Sequence, residues 1–129
     1  MPETKKVLIA EDSTVIQNIT KSVLKFQNFD ITTVKNGQQV LDLLKKTSFD
    51  IILMDINMPV MDGMKATQKI RTFNKSIPII ALTAAEIDEV EKAFKEVGVT
   101  DLLNKPLTKL DLKDAIRRNL RCNQEKADA

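Results

Sequence analysis

Short apolar runs alternate with longer segments of helical period along the chain. The apolar runs are rich in β-branched residues and occupy residues 7–10, 31–34, 51–54, 77–82 and 100–103. Alternation of strands and helices is typical of an α/β domain built on a parallel sheet. The pattern therefore predicts five strands, each followed by a helix.

The first, third and fourth runs are apolar at consecutive positions, as in Ile51-Ile52-Leu53-Met54. Such strands are covered on both faces, so we expect them at the centre of a doubly wound sheet. The run at 31–34 is half polar, which predicts an edge strand. A common strand order for such sheets is 2-1-3-4-5, the flavodoxin-like arrangement.

Each helical segment has boundary signals and an apolar stripe. Ser13 and Thr108 are good N-caps for the first and last helices, Asn36 or Gly37 opens the second, and Gly98 is a natural stop for the fourth. The stripes expected to face the core are, in chain order, Ile16, Ile19 and Val23; Val40, Leu41 and Leu44; Ala66, Ile70 and Phe73; Ile87, Val90, Phe94 and Val97; Leu112, Ile116 and Leu120.

Length and composition indicate one globular domain. The 129 residues are 43% hydrophobic and 29% charged, which leaves room for one core. We expect the domain to span residues 1–121 and residues 122–129 to form a frayed tail. The longest apolar runs are too short to cross a bilayer, and residues 1–6 lack the apolar core of a signal peptide.

Charge and rare residues exclude several function classes. A formal charge of +2 gives no basic footprint for nucleic acid or a membrane surface. The chain has no histidine, so an imidazole base, a Ser-His-Asp triad and His-ligated zinc are excluded within it. Cys122 is the single cysteine, which excludes an internal disulfide and favours a reducing, cytoplasmic location.

Polar residues follow the ends of four strands. They are Glu11 and Asp12, Asp55, Thr83, and Asn104 with Lys105. Ligands of open α/β sheets bind beyond the carboxyl ends of the strands. If the order is 2-1-3-4-5, the first and third strands are neighbours about 4.8 Å apart, which places Asp12 beside Asp55.

Three carboxylates beside one ammonium predict a cation site. Oxygen ligands without sulfur or imidazole favour Mg²⁺, with Mn²⁺ as the other choice. A cation would let the site accept a phosphoryl group, with Asp55 as candidate nucleophile and Lys105 screening the phosphoryl oxygens. Thr83 adds a hydroxyl donor.

Each residue also has a structural interpretation. Asp12 could cap the following helix, Thr83 could form a strand-end turn, Lys105 could be a solvated loop lysine, and Asp62-Gly63 could be a turn that starts a helix. Their joint placement after different strands of one sheet favours a shared site.

The motifs together resemble the receiver domain of two-component response regulators, including its chemotaxis-regulator-like members. The resemblance rests on Val7-Leu8-Ile9-Ala10-Glu11-Asp12, on the run from Asp55 to Gly63, on Ala81-Leu82-Thr83-Ala84 and on Asn104-Lys105-Pro106-Leu107. It implies that Asp55 is a phosphoacceptor. The phosphoryl donor would be a phosphohistidine of a sensor histidine kinase or a histidine phosphotransfer protein.

The resemblance also implies roles for the neighbouring residues. Glu11, Asp12, Asp55 and the backbone carbonyl of Asn57 would organise Mg²⁺. Lys105, Thr83 and the backbone N–H of Ala84 would contact the phosphoryl group, and Pro106 would follow a cis bond. Such a protein is not an enzyme beyond assisting its own phosphorylation and slow dephosphorylation, and it signals as a monomer or weak dimer to a downstream protein.

One position departs from the family pattern. Leu102 stands where the family often has an aromatic residue, so the aromatic switch is in question. We expect phosphorylation to pull Thr83 inward and to reshape the surface of the fourth helix, fifth strand and fifth helix. The chain leaves no room for an output domain, and its start at Met1 favours a standalone protein over an excised receiver of a larger kinase.

Two other functions fit the same residues. A phosphohydrolase of the haloacid dehalogenase kind also uses an aspartate nucleophile, but it needs a second aspartate where this chain has Asn57. A phosphorylation-independent binding module of the same fold would not need the intact set of Asp12, Asp55, Thr83 and Lys105. A dinucleotide or flavin carrier is disfavoured because no glycine-rich loop follows the first strand.

Overall fold

A computed structural model describes residues 4–25 and 28–128, with side chains described as far as residue 120. Strands and helices alternate throughout that part of the chain. The elements are β1 Lys5–Ala10, α1 Thr14–Leu24, β2 Phe29–Val34, α2 Gly37–Leu44, β3 Ile51–Asp55, α3 Gly63–Ile70, β4 Ile79–Thr83, α4 Ile87–Val97, β5 Asp101–Asn104 and α5 Lys109–Asp128. The predicted sequence of five strand–helix pairs is confirmed.

All strand pairs are parallel, and the sheet order is β2-β1-β3-β4-β5. The apolar strands β1, β3 and β4 are central and the half-polar β2 lies at an edge, as the sequence predicts. The predicted doubly wound, flavodoxin-like order is therefore confirmed. β4 starts two residues later than expected, because Pro78 has no N–H to donate, although its carbonyl accepts from Ile52 at 3.0 Å.

Alternate residues of the central strands face opposite layers of the fold. One layer packs Leu8, Ala10, Ile52 and Met54 with residues of α2 and α3. The other packs Val7, Ile9, Ile51 and Leu53 with residues of α1 and α5. Both faces of the sheet are therefore covered, which explains the unbroken apolar runs.

The apolar stripes of α2, α4 and α5 pack as predicted, but two residues expected in the core are exposed. Ile19 is 57% exposed, because α1 turns Gln17, Thr20 and Leu24 inward instead. Phe73 is 50% exposed, because α3 ends at Ile70 and leaves it in the following turn. The stripe predicted for α1 is thus wrong at Ile19, and that for α3 at Phe73.

Capping side chains or a glycine define several helix ends. The Ser13 hydroxyl accepts from the Ile16 N–H at 3.3 Å, and the Thr108 hydroxyl accepts from the Asp111 N–H at 3.1 Å. Gly98 ends α4 with a φ of 109°, the left-handed conformation that glycine adopts freely. These predicted boundaries are confirmed.

The carboxyl-terminal boundary of the domain stays a prediction. The backbone of α5 continues to Asp128, so the segment 122–128 expected to fray is helical in its backbone. The side chain of Cys122 lies outside the described residues. Among the described helices, not one combines the length and the apolar character that crossing a membrane requires.

Candidate functional site

The candidate site lies at the carboxyl ends of the central strands and β5. Asp55 is the last residue of β3, Thr83 the last of β4 and Asn104 the last of β5, while Glu11 directly follows β1. The parallel register pairs Thr83 with Asn104 and Asp55 with Leu82. The sheet therefore brings the predicted residues to its carboxyl end, although three of them (Asp55, Thr83 and Asn104) belong to the strands themselves.

Three carboxylates lie together at this end of the sheet. One oxygen each of Glu11, Asp12 and Asp55 lies within 4.8 Å of the other two. Glu11 and Asp55 are each only 2% exposed, whereas Asp12 is exposed to solvent. Clustered oxygen donors with an opening to solvent suit a hard divalent cation, which can enter and retain some of its water.

Asp12 does not cap the following helix. Ser13 is the N-cap of α1, so the structural interpretation of Asp12 is wrong. Glu11 accepts the Ser13 N–H at its Oε2 atom, at 3.1 Å, and this bond holds the acidic loop against the helix start. The carboxylate of Asp12 lies in the acidic cluster instead.

Lys105 is the counter-charge of the acidic cluster. Its Nζ lies 2.9 Å from Asp55 Oδ1 and 3.5 Å from Glu11 Oε1. Burial alone would lower the pKa of Lys105, but its hydrogen bond and attraction to Asp55, with help from Glu11, outweigh burial and raise that pKa. Lys105 is therefore a charged site residue and not a solvated loop lysine.

Glu11 carries the electrostatic cost of this arrangement. The pKa of its carboxyl is raised to about 6, chiefly by burial and further by the charge of Asp55 and a hydrogen bond with Asp12. The Ser13 N–H and the Lys105 ammonium lower this pKa without cancelling the effect of burial. The ionised form of Glu11 is thus disfavoured in the folded protein when no cation is bound.

Thr83 is buried at the end of β4, and its hydroxyl accepts from the Ala85 N–H at 3.0 Å. This is the strand-end turn that the structural interpretation proposed. Asn104 adds two hydrogen bonds that the sequence pattern does not predict, because its Nδ2 donates to the carbonyls of Ala85, at 2.5 Å, and Thr83, at 3.3 Å. The loop after β4, which contains the exposed Ala84, is therefore tied to the end of β5.

The loop between β3 and α3 packs tightly against the site. The Gly63 N–H donates to the Ile56 carbonyl at 2.9 Å, and a Cβ at position 63 would collide with the carbonyl oxygen of Asp55. Asp62 caps α3 by accepting from the Lys65 N–H at 2.8 Å, as its structural interpretation holds. Asn57 is exposed in this loop, and its carbonyl as a cation ligand stays a prediction.

Pro106 follows the resemblance to the receiver family, whereas Leu102 departs from it. The peptide bond between Lys105 and Pro106 is cis. Leu102 is buried in a small cluster with Ala81, Phe94 and Val99, so its side chain faces the core between β5 and α4. Leu102 consequently contacts α4, whose surface is expected to be reshaped by phosphorylation.

The raised pKa of Glu11 predicts a pH-dependent stability. Without divalent cations, the folded state binds a proton on Glu11 more tightly than the unfolded state does, so its share of the stability is lost as pH rises from 4.5 to about 6. We expect the free energy of unfolding of Glu11→Gln, relative to that of the wild type, to rise by about 2 kcal/mol as the pH rises from about 3.5 to about 7, a window that extends about one unit beyond each pKa. Urea denaturation in a chelator at several pH values measures this difference.

Glu91→Gln is the matched control, because Glu91 is exposed on α4 away from the cluster. We expect its denaturation profile to run parallel to that of the wild type. A Glu11→Gln profile that also runs parallel to wild type at every pH would show that Glu11 pays no penalty for ionising in the fold.

Comparisons with known proteins agree with this geometry. The family model of the response regulator receiver domain matches residues 7–117. Hybrid signal transduction histidine kinase I of Dictyostelium discoideum is 42% identical over 112 residues, which cover 80% of this chain and 6% of that protein. Transcription factor SKN7 of Candida albicans is 34% identical over 119 residues, 92% of this chain and 21% of that protein. The chain thus spans only a small part of these relatives.

Solved structures show the same architecture. The receiver domain of sensor histidine kinase PA1611 from Pseudomonas aeruginosa, with a magnesium ion coordinated in its active site cleft, is 31% identical with a TM-score of 0.83, over 92% of this chain and 98% of that chain. Chemotaxis response regulator CheY4 of Vibrio cholerae is 31% identical with a TM-score of 0.86, over 91% and 99% of the two chains. The chain belongs to the response regulator receiver domain family.

Proposed function

We propose that this chain accepts a phosphoryl group on Asp55 from a phosphohistidine of a partner protein, in a Mg²⁺-dependent reaction. The observation that carries the proposal is the position of Asp55. Its buried carboxylate ends β3, lies 2.9 Å from the Lys105 ammonium and shares a cluster with Glu11 and Asp12. These 129 residues contain no histidine, so the phosphohistidine lies outside them.

The acidic cluster fits Mg²⁺. Glu11, Asp12 and Asp55 supply carboxylate oxygens, and the Asn57 carbonyl would complete the protein ligands. Mn²⁺ accepts the same oxygen ligands. When bound, the cation supplies positive charge that neutralises the phosphoryl oxygens as they approach the carboxylates. The magnesium in the related PA1611 receiver domain supports this assignment.

The residues of the chain position and screen the transferred group. A carboxylate oxygen of Asp55 would attack phosphorus in line, the P–N bond would break, and its electron pair would return to the imidazole of the donor. Lys105 stays protonated, so its ammonium can move from Asp55 to a phosphoryl oxygen as the acyl phosphate forms. The backbone N–H of Ala84 would contact another phosphoryl oxygen.

We propose that the Thr83 hydroxyl changes its hydrogen-bond partner when Asp55 is phosphorylated. To reach the phosphoryl group, its hydroxyl has to give up the 3.0 Å hydrogen bond that it accepts from the Ala85 N–H. That change would loosen the loop held by Asn104 and would reach α4 through Leu102 and Phe94, which pack together. Leu102 provides packing but no hydroxyl, so coupling would run through the shape of the core. The reshaped surface comprises α4, β5 and α5.

Chemistry beyond self-modification is not favoured. Asn57 has an amide where a phosphohydrolase of the haloacid dehalogenase kind needs an acid, so hydrolysis would be limited to the chain's own acyl phosphate. The donor would be a sensor histidine kinase or a histidine phosphotransfer protein, since kinases are among the relatives. We propose a protein target downstream, a monomer or weak dimer and, from the single cysteine, a cytoplasmic location.

Phosphorylation by a small donor tests the acceptor residue. Incubation with acetyl phosphate and Mg²⁺ should add one phosphoryl group to the wild type, and Asp55→Asn should remain unmodified because it has no carboxylate at the site. Intact mass measurement reads both. Asp62→Asn is the matched control, because Asn also caps helices and Asp62 is exposed in the same loop. Equal labelling of wild type and Asp55→Asn would contradict the proposal.

Removing the ammonium should separate phosphorylation from cation binding. Lys105→Met takes a positive charge from the acidic cluster, so Mg²⁺ should bind more tightly while phosphorylation slows by about 100-fold, the usual effect of losing a preorganised donor to developing charge. Mg²⁺ titration and a time course of acetyl phosphate labelling measure the two effects.

Lys92→Met, at an exposed position on α4, is the control and should behave as wild type in both assays. Labelling of Lys105→Met at the wild-type rate under saturating Mg²⁺ would show that Lys105 does not contribute to phosphorylation.

A further inference from the structure

A polar side chain occupies the buried face of α1, where the apolar stripe was expected. Gln17 is 6% exposed, and its Nε2 donates two hydrogen bonds to backbone carbonyls. One goes to Glu11 at 2.7 Å and the other to Val34 at 3.0 Å. A single amide on the first helix therefore joins the ends of β1 and β2.

The acceptors lie where the strand ladder stops. Val34 is the last residue of β2 and pairs with Ala10, so Glu11 is one residue beyond the register of the two strands. The Glu11 N–H still donates to Val34 at 3.0 Å, and Gln17 supplies the donor for the Glu11 carbonyl. Loss of that donor would leave a buried carbonyl unsatisfied, which costs about 1–3 kcal/mol.

The position of this carbonyl matters for the acidic cluster. The Glu11 carbonyl belongs to the peptide unit that joins Glu11 to Asp12, and a peptide unit is planar and rigid. Holding its oxygen therefore restrains both Cα atoms that carry the carboxylates. The backbone N–H of Gln17 makes a further bond to this loop, because it donates to the Ser13 carbonyl at 2.9 Å.

We propose that Gln17 is a positioning residue for the cation site: its amide fixes the peptide between Glu11 and Asp12 so that their carboxylates converge on Mg²⁺ beside Asp55. Gln17 donates to backbone carbonyls, and the clustered oxygen ligands come from Glu11, Asp12 and Asp55. This inference rests on the proposed function, because it requires Mg²⁺ to bind at the acidic cluster. Partners that hold metal ligands in place commonly change metal affinity by about 10-fold to 100-fold when removed.

The test compares Gln17→Met with Thr20→Val in the full chain. Methionine keeps the length of the side chain and removes the donors. Thr20 is also buried on α1, but its hydroxyl donates to the Ile16 carbonyl at 2.8 Å within the helix, away from the cluster. Urea denaturation in a chelator measures the loss of stability in each variant, and amide chemical shifts during titration with Mg²⁺ alone measure the affinity.

We expect Gln17→Met to weaken Mg²⁺ binding by about 10-fold or more and Thr20→Val to leave it unchanged. Labelling by acetyl phosphate should be slow in Gln17→Met at low Mg²⁺ and should reach the wild-type rate at saturation. If Gln17→Met does not fold, Gln17→Asn serves, because its amide is one methylene too short to span both carbonyls.

Three results would overturn the inference. Wild-type Mg²⁺ affinity in the folded Gln17 variant would do so, as would an equal loss of affinity in Thr20→Val, which would trace the effect to stability alone. A wild-type protein that shows no Mg²⁺ response would overturn the proposed function and this inference with it. The first two results leave the proposed function intact, so the failures are distinguishable.

Discussion

The enforced proximity of three carboxylates at one end of the sheet is the constraint on which this molecule depends. Like charges at this distance repel, and the repulsion is strongest where burial removes water. The packed central strands hold Asp55 and the loop after β1 in place, and Lys105 offsets part of the negative charge. The site therefore retains a net negative charge. This charge favours binding of a cation, and the bound cation in turn allows a phosphoryl group to approach.

Much of this arrangement could be predicted from sequence because it follows from strand order. Unbroken apolar runs identify strands covered on both faces, and parallel strands place their carboxyl ends together. Asp55, Thr83 and Lys105 stand out because each is polar at the end of an apolar run. Their convergence needs the sheet topology only, so a linear pattern is enough to predict it.

The parts that could not be predicted depend on polar side chains that bind backbone. Gln17 and Asn104 both donate to carbonyls near the site, but amides on a helix or at a strand end resemble solvent-facing residues in the sequence. Apolar periodicity therefore placed Ile19 inward, while the helix is rotated so that Gln17 reaches the end of β1. The orientation of Leu102 was also open, since leucine fits either side, and packing against Phe94 decides it.

The most direct test of charge crowding is the free energy of unfolding of the wild type and Asp55→Asn, measured by urea denaturation with and without Mg²⁺. In chelator, Asp55→Asn should be the more stable protein, because one of three repelling charges is removed while Lys105 keeps Glu11 as its partner. Added Mg²⁺ should stabilise the wild type more than the variant. A variant that is clearly less stable in chelator and gains as much from Mg²⁺ would contradict the account.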